Sequence, residues 1–127
     1  MNKTILVVDD QAHVRFLLEK VLEPLRNQGV LVVTATNGQD ALTLVQALHP
    51  QLIFLDVMLP RMDGFEVCRQ VKQNWGMQEI YVAIVTVKGE ETDERTGMAA
   101  GANLYLTKPF DPDQILRTAI EVLGVAV

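Results

Sequence analysis

The sequence predicts an α/β fold in which five parallel strands form one sheet wound by helices on both faces. Three observations carry that prediction. Short apolar runs rich in β-branched residues recur along the chain, at Ile5–Val8, Val30–Val33, Leu52–Leu55, Ile80–Val85 and Leu104–Leu106. They scarcely alternate with polar residues, as befits strands covered on both sides. Stretches of helical period separate them, and the resulting order, βαβαβαβαβα, closes into a parallel sheet.

The elements follow in order. After the first run, Val14, Leu17, Leu18, Val21 and Leu22 fall at i, i+3, i+4, i+7 and i+8, one face of a helix. Pro24 should end or kink that helix and leave Leu25–Gly29 as a longish exit loop. Asn37-Gly38 marks the next helix start, and Ala41, Leu44, Val45 and Leu48 repeat the helical stripe. Asp63-Gly64 opens a third helix whose stripe, Phe65, Cys68, Val71 and Trp75, is less regular. Glu90–Ala100 is the weakest helical segment, polar at its start and stopped by Gly101. Asp111 followed by Pro112 reads as an N-cap with proline in the first turn, and Leu116, Ala119, Ile120 and Leu123 complete the last stripe.

Composition narrows the function classes. The 127 residues are enough for one domain with its own core, and 49% hydrophobic against 21% charged residues is ordinary globular usage. A net charge of −5 disfavours direct nucleic-acid binding, which needs a basic face. The single cysteine, Cys68, excludes an internal disulfide and reads as a small core residue. No apolar run is long enough to cross a bilayer, and the start of the chain lacks the pattern of a signal peptide. The expected setting is therefore the cytoplasm, with no membrane contact.

The polar residues that follow the apolar runs carry the chemistry. The first run ends in Asp9-Asp10, the third in Asp56, the fourth in Thr86 and the fifth in Thr107-Lys108-Pro109. In open parallel sheets ligands bind beyond the carboxyl ends of the strands, so these side chains should converge. Two carboxylates about 4 Å apart repel by about 4 kcal/mol at an effective dielectric of about 20, so the cluster must protonate or take up a cation. An all-oxygen set suits Mg²⁺, and neither His13 nor His49 belongs to it, which argues against zinc. A magnesium ion beside a carboxylate, a lysine and a hydroxyl is equipment for phosphoryl transfer, with one carboxylate a candidate nucleophile.

These residues also carry a family resemblance. The stretches Ile5-Leu-Val-Val-Asp-Asp10, Asp56-Val-Met-Leu-Pro-Arg-Met-Asp-Gly64, Ile84-Val-Thr86 and Gly101-Ala-Asn-Leu-Tyr-Leu-Thr-Lys-Pro-Phe110 resemble the receiver domains of two-component response regulators. The resemblance implies a single receiver domain over residues 1–127, with a flavodoxin-like fold and strand order 2-1-3-4-5. It implies that Asp56 accepts a phosphoryl group from a phosphohistidine on a sensor histidine kinase or histidine phosphotransfer protein. Asp9, Asp10, Asp56 and the backbone carbonyl of Met58 would hold Mg²⁺, for which Mn²⁺ can substitute. Lys108 would pair with the acceptor, Thr86 and Tyr105 would act as switch residues, and the Lys108–Pro109 peptide would be cis. The output would be a shift of the face formed by the fourth and fifth helices and fifth strand. That face would bind a downstream protein target, or an effector domain not in this chain.

The sequence departs from the family pattern at Val87, where a smaller residue is usual and a branched side chain could narrow access to Asp56. Met58 and Lys88 flank the expected path of an attacking water and leave the self-hydrolysis rate open. Three rival functions fit the sequence less well. A metabolite phosphatase generally carries a second aspartate two residues after the nucleophile, where this chain has Met58. A nucleotide or flavin site needs a donor-rich first loop, where this chain has Asp9-Asp10. A receiver-like scaffold that signals without phosphorylation has only Val87 in its favour.

Overall fold

Successive residues of each strand feed two different cores. The computed structural model describes residues 3–87 and 94–125. Its strands are β1 (Lys3–Val8), β2 (Val30–Ala35), β3 (Leu52–Leu55), β4 (Tyr81–Val87) and β5 (Leu104–Lys108). They pair in parallel in the order β2-β1-β3-β4-β5. The helices are α1 (Ala12–Leu22), α2 (Gly38–Leu48), α3 (Gly64–Arg69), α4 (Glu94–Ala99) and α5 (Pro112–Leu123). Side chains of a strand alternate between faces. Leu6, Val8, Ile53, Leu55, Val82 and Ile84 therefore meet α2, α3 and the Ala100–Ala102 turn on one side. Ile5, Val7, Leu52, Phe54, Ala83 and Val85 meet α1 and α5 on the other.

Three helix starts are fixed by the residues that the sequence marks. Asn37 caps α2, Asp63 caps α3 and Asp111 caps α5, each accepting a backbone N–H of the first turn. Two segments differ from expectation. Residues Glu23–Gln28 form a 3₁₀ helix rather than a loop, because Pro24 fits its first turn and Leu25 is fully buried beneath it. Gly29, at φ +80°, then turns the chain into β2. The irregular stripe after Asp63 has its cause in a π-helical turn, Gln70–Asn74, that continues α3. That turn carries Lys72 inward to 1% exposure, where its ammonium donates to the Gln78 carbonyl at 3.1 Å. The Gln78 side-chain amide donates in return to the Lys72 carbonyl. Burial lowers the Lys72 pKa and pushes the Cys68 thiol up to about 11, which keeps that cysteine an inert core group. Within the Glu90–Ala100 segment the described helix is α4, and Lys88 lies outside the described residues.

No described helix is long and apolar enough to cross a membrane. Asn37 is 8% exposed and makes two bonds, accepting the Asp40 N–H at 2.8 Å and donating to Asp40 Oδ2 at 3.0 Å. Asn37→Ala should destabilise the fold by about 1–2 kcal/mol. Urea unfolding would show this as a lower midpoint with unchanged slope.

Candidate functional site

Parallel pairing brings the ends of β1, β3, β4 and β5 to one edge of the sheet. Asp9 follows β1, and its N–H donates to the Ala35 carbonyl at the end of β2 at 3.2 Å. Asp56 follows β3, and its N–H donates to the Val8 carbonyl at 2.9 Å. The two aspartates are therefore placed by the sheet itself. Asp10 projects into solvent beside them. One carboxylate oxygen from each of Asp9, Asp10 and Asp56 lies within 4.8 Å of the others.

Lys108, the last residue of β5, reaches into this cluster. Its ammonium lies 2.7 Å from Asp9 Oδ2 and 3.5 Å from Asp56 Oδ2. Asp9 and Asp56 are buried and Lys108 is mostly so, so the pairs are little screened by solvent. Asp9 is held further by the Gln11 N–H, which donates to its Oδ1 at 2.9 Å, and by Arg15, which donates to its carbonyl at 2.9 Å. The Lys108–Pro109 peptide is cis.

The loop after Asp56 folds back beneath it. Gly64 N–H donates to the Val57 carbonyl at 2.9 Å, and Arg61 takes the left-handed conformation at φ +71°. A Cβ on Gly64 would lie 2.2 Å from the Asp56 carbonyl oxygen, so only glycine lets α3 begin this close to the acid. Met58 on this loop is exposed, as is Val87 at the end of β4.

Two polar atoms stand out. Asp56 Oδ1 and Thr86 Oγ1 are buried without a hydrogen bond of ordinary geometry, although buried polar atoms nearly always find one. The Thr86 hydroxyl and the Val57 N–H still lie close enough to Asp56 to favour its charged form. Thr86 pairs in register with Thr107, and Ile84 pairs with Tyr105. Thr86 and Tyr105 therefore lie on the same face of neighbouring strands. Tyr105 is half-buried and packs on the core beneath α3 and α4.

Burial raises the Asp56 pKa, and the Asp9 carboxylate raises it further, while Lys108 acts in the opposite direction. The chemistry of this donor set fits a divalent cation. Oxygen ligands on three converging acids suit a hard ion, and uptake of one would relieve the repulsion that raises Asp56. His13 and His49 are exposed and outside the cluster, and Cys68 is buried in the core.

The raised pKa has a consequence for stability. Native Asp56 holds its proton to higher pH than the unfolded chain, so its ionisation costs stability as pH rises from the unfolded value of 3.8 through the native one. In metal-free buffer, Asp56→Asn should therefore be more stable than the parent at pH 7. The gap should narrow as pH falls toward 3.8. Urea unfolding at a series of pH values checks both the sign and the trend.

With this geometry in hand, the relatives are informative. The sequence matches the family described as response regulator receiver domain over residues 5–120. It is 45% identical over 115 residues to the alkaline phosphatase synthesis transcriptional regulatory protein PhoP of Bacillus subtilis, a match covering 91% of this chain and 46% of PhoP. The chain thus spans about half the length of that curated relative. A putative response regulator from Chloroflexus aurantiacus superposes with a TM-score of 0.83 at 33% identity, covering 98% of this chain and 100% of the other. The BeF3-activated DrrB receiver domain gives a TM-score of 0.82 at 31% identity, with 98% and 100% covered. Fold, strand order, acidic cluster and sequence all lead to the same place: this chain belongs to the family of response regulator receiver domains.

Proposed function

We propose that Asp56 is the phosphoacceptor of this receiver domain and that residues 1–127 act as one switch unit. The observation that supports this most strongly is a buried Asp56 Oδ1 without a hydrogen bond of ordinary geometry beside an Asp56 Oδ2 turned toward the Lys108 ammonium. One oxygen is only weakly engaged while the other is held. Attack by Oδ1 on the phosphorus of a phosphohistidine forms an O–P bond and breaks the N–P bond, whose electron pair stays on the donor imidazole. Family membership implies a cognate histidine kinase, and we assign the donor to such a kinase or to a histidine phosphotransfer protein.

In this proposal Asp9, Asp10, Asp56 and the Met58 carbonyl hold Mg²⁺, or Mn²⁺ in its place. The ion would supply positive charge to the carboxylates and to the phosphoryl oxygens as the transfer proceeds. Lys108 exchanges part of its contact with Asp56 for the arriving phosphoryl oxygens. Thr86 Oγ1, buried beside Asp56 without a hydrogen bond of ordinary geometry, is the hydroxyl that can donate to them. Tyr105, on the same face, carries the change to the surface formed by α4, β5 and α5. A downstream protein or an effector domain outside this chain would read that surface. We place the domain in the cytoplasm, where such kinases present their phosphohistidines.

Intact mass after incubation with acetyl phosphate tests the proposal. The expected result is a gain of one phosphoryl group in the presence of Mg²⁺, little or none without it, and none in Asp56→Asn. A full gain in Asp56→Asn would move the acceptor elsewhere. No gain in the parent chain from acetyl phosphate or from a phosphorylated kinase would contradict the acceptor role altogether.

A further inference from the structure

Gly97 is the fourth residue of the six in α4, where glycine is the poorest ordinary helix former. Its backbone gives no reason for glycine, since the left-handed glycines of the described residues are Gly29, Gly76, Gly101 and Gly124. The reason lies in space. A Cβ at this position would lie 3.0 Å from Ile84 Cδ1, 3.1 Å from Tyr105 Cδ2 and 3.4 Å from Phe65 Cε1. The first two distances are tighter than comfortable carbon–carbon contact, and the third is at its limit.

The neighbours differ in how they can yield. Ile84 is fully buried and Phe65 nearly so, both fixed in the core beneath α3. The far end of α4 is tied down as well. Gln73 Nε2 donates to the Ala99 carbonyl at 2.9 Å, and the Cys68 thiol reaches the Ala100 carbonyl at 3.5 Å. Tyr105 is the one member with an open side, being half-buried. An added methyl group would therefore displace the Tyr105 ring before it displaced the helix.

We propose that Gly97 is a positioning residue for Tyr105, its missing Cβ forming the seat that the ring occupies against Ile84. By this account the size of residue 97 sets the balance between seated and displaced rings, and so tunes the switch without touching Asp56. The tuning rests on the role proposed above for Tyr105, whereas the seat itself does not.

The chain has two tyrosines, Tyr81 and Tyr105, so ring-labelled tyrosine gives two NMR signals, assigned with Tyr105→Phe. In the unmodified protein, Gly97→Ala should move the Tyr105 signal and leave that of Tyr81 in place. Superimposable Tyr105 signals would overturn the seat. Addition of beryllofluoride and Mg²⁺, a mimic of the phosphorylated acceptor, should move Tyr105 in the parent and less than half as far in Gly97→Ala. An equal response in both would overturn the tuning. An unmoved Tyr105 in the parent would instead remove the role of Tyr105 on which the tuning depends, with the seat still judged by the first comparison.

A stability cycle guards against a merely unstable variant. With Tyr105→Ala in place, Gly97→Ala should shift the urea midpoint more favourably than with Tyr105 present, the Ile84 contact being common to both backgrounds. The same effect in both backgrounds would overturn the proposal.

Discussion

A single ammonium buried between two carboxylates organises the working edge of this sheet. Lys108 arrives from β5, the outermost strand, and crosses to Asp9 and Asp56, which follow strands β1 and β3. Without it, two buried acids would face each other with nothing to offset their repulsion, the costly arrangement for a protein interior. With it, three acids meet one base, and the cluster remains electronegative overall. That residual charge favours a cation, and burial together with the Asp9 carboxylate keeps Asp56 harder to ionise than an ordinary aspartate.

The geometry depends on the fold at every step. Asp9 and Asp56 are placed by hydrogen bonds that continue the sheet ladder, so any shift of strand register would separate them. Gly64 lets α3 begin directly under the Asp56 carbonyl, and Asp63 caps that helix. A buried polar atom such as Thr86 Oγ1 costs the fold stability, a cost offset by the apolar layers packed on both faces of the sheet. Such unmet bonding capacity is what a transferred group of oxygens can satisfy.

Much of this was legible in the sequence, for a physical reason. A strand buried on both faces leaves no place for charge within it, so Asp9, Asp56 and Lys108 stand out where their apolar runs end. The capping residues Asn37, Asp63 and Asp111 were equally plain, because they act on backbone within three residues. What escaped depends on tertiary contact. Pro24 stops an α-helix but is compatible with a 3₁₀ turn, and the burial of Leu25 decided between them. A π turn carries Lys72 inward, and nothing in the local sequence pattern announces that turn. Gly97 was unremarkable in sequence, since its use lies in the ring of Tyr105 on the neighbouring strand.

The working of this edge depends on whether these three acids and one lysine form a cation-dependent centre. Calorimetric titration of the chain with Mg²⁺ at neutral pH measures this most directly. One ion should bind per chain, and Asp9→Asn and Asp56→Asn should each weaken binding by at least about tenfold, a loss of about 1.4 kcal/mol. Unchanged affinity in both variants would mean that the acidic cluster is not where the cation binds, and would contradict the account at its centre.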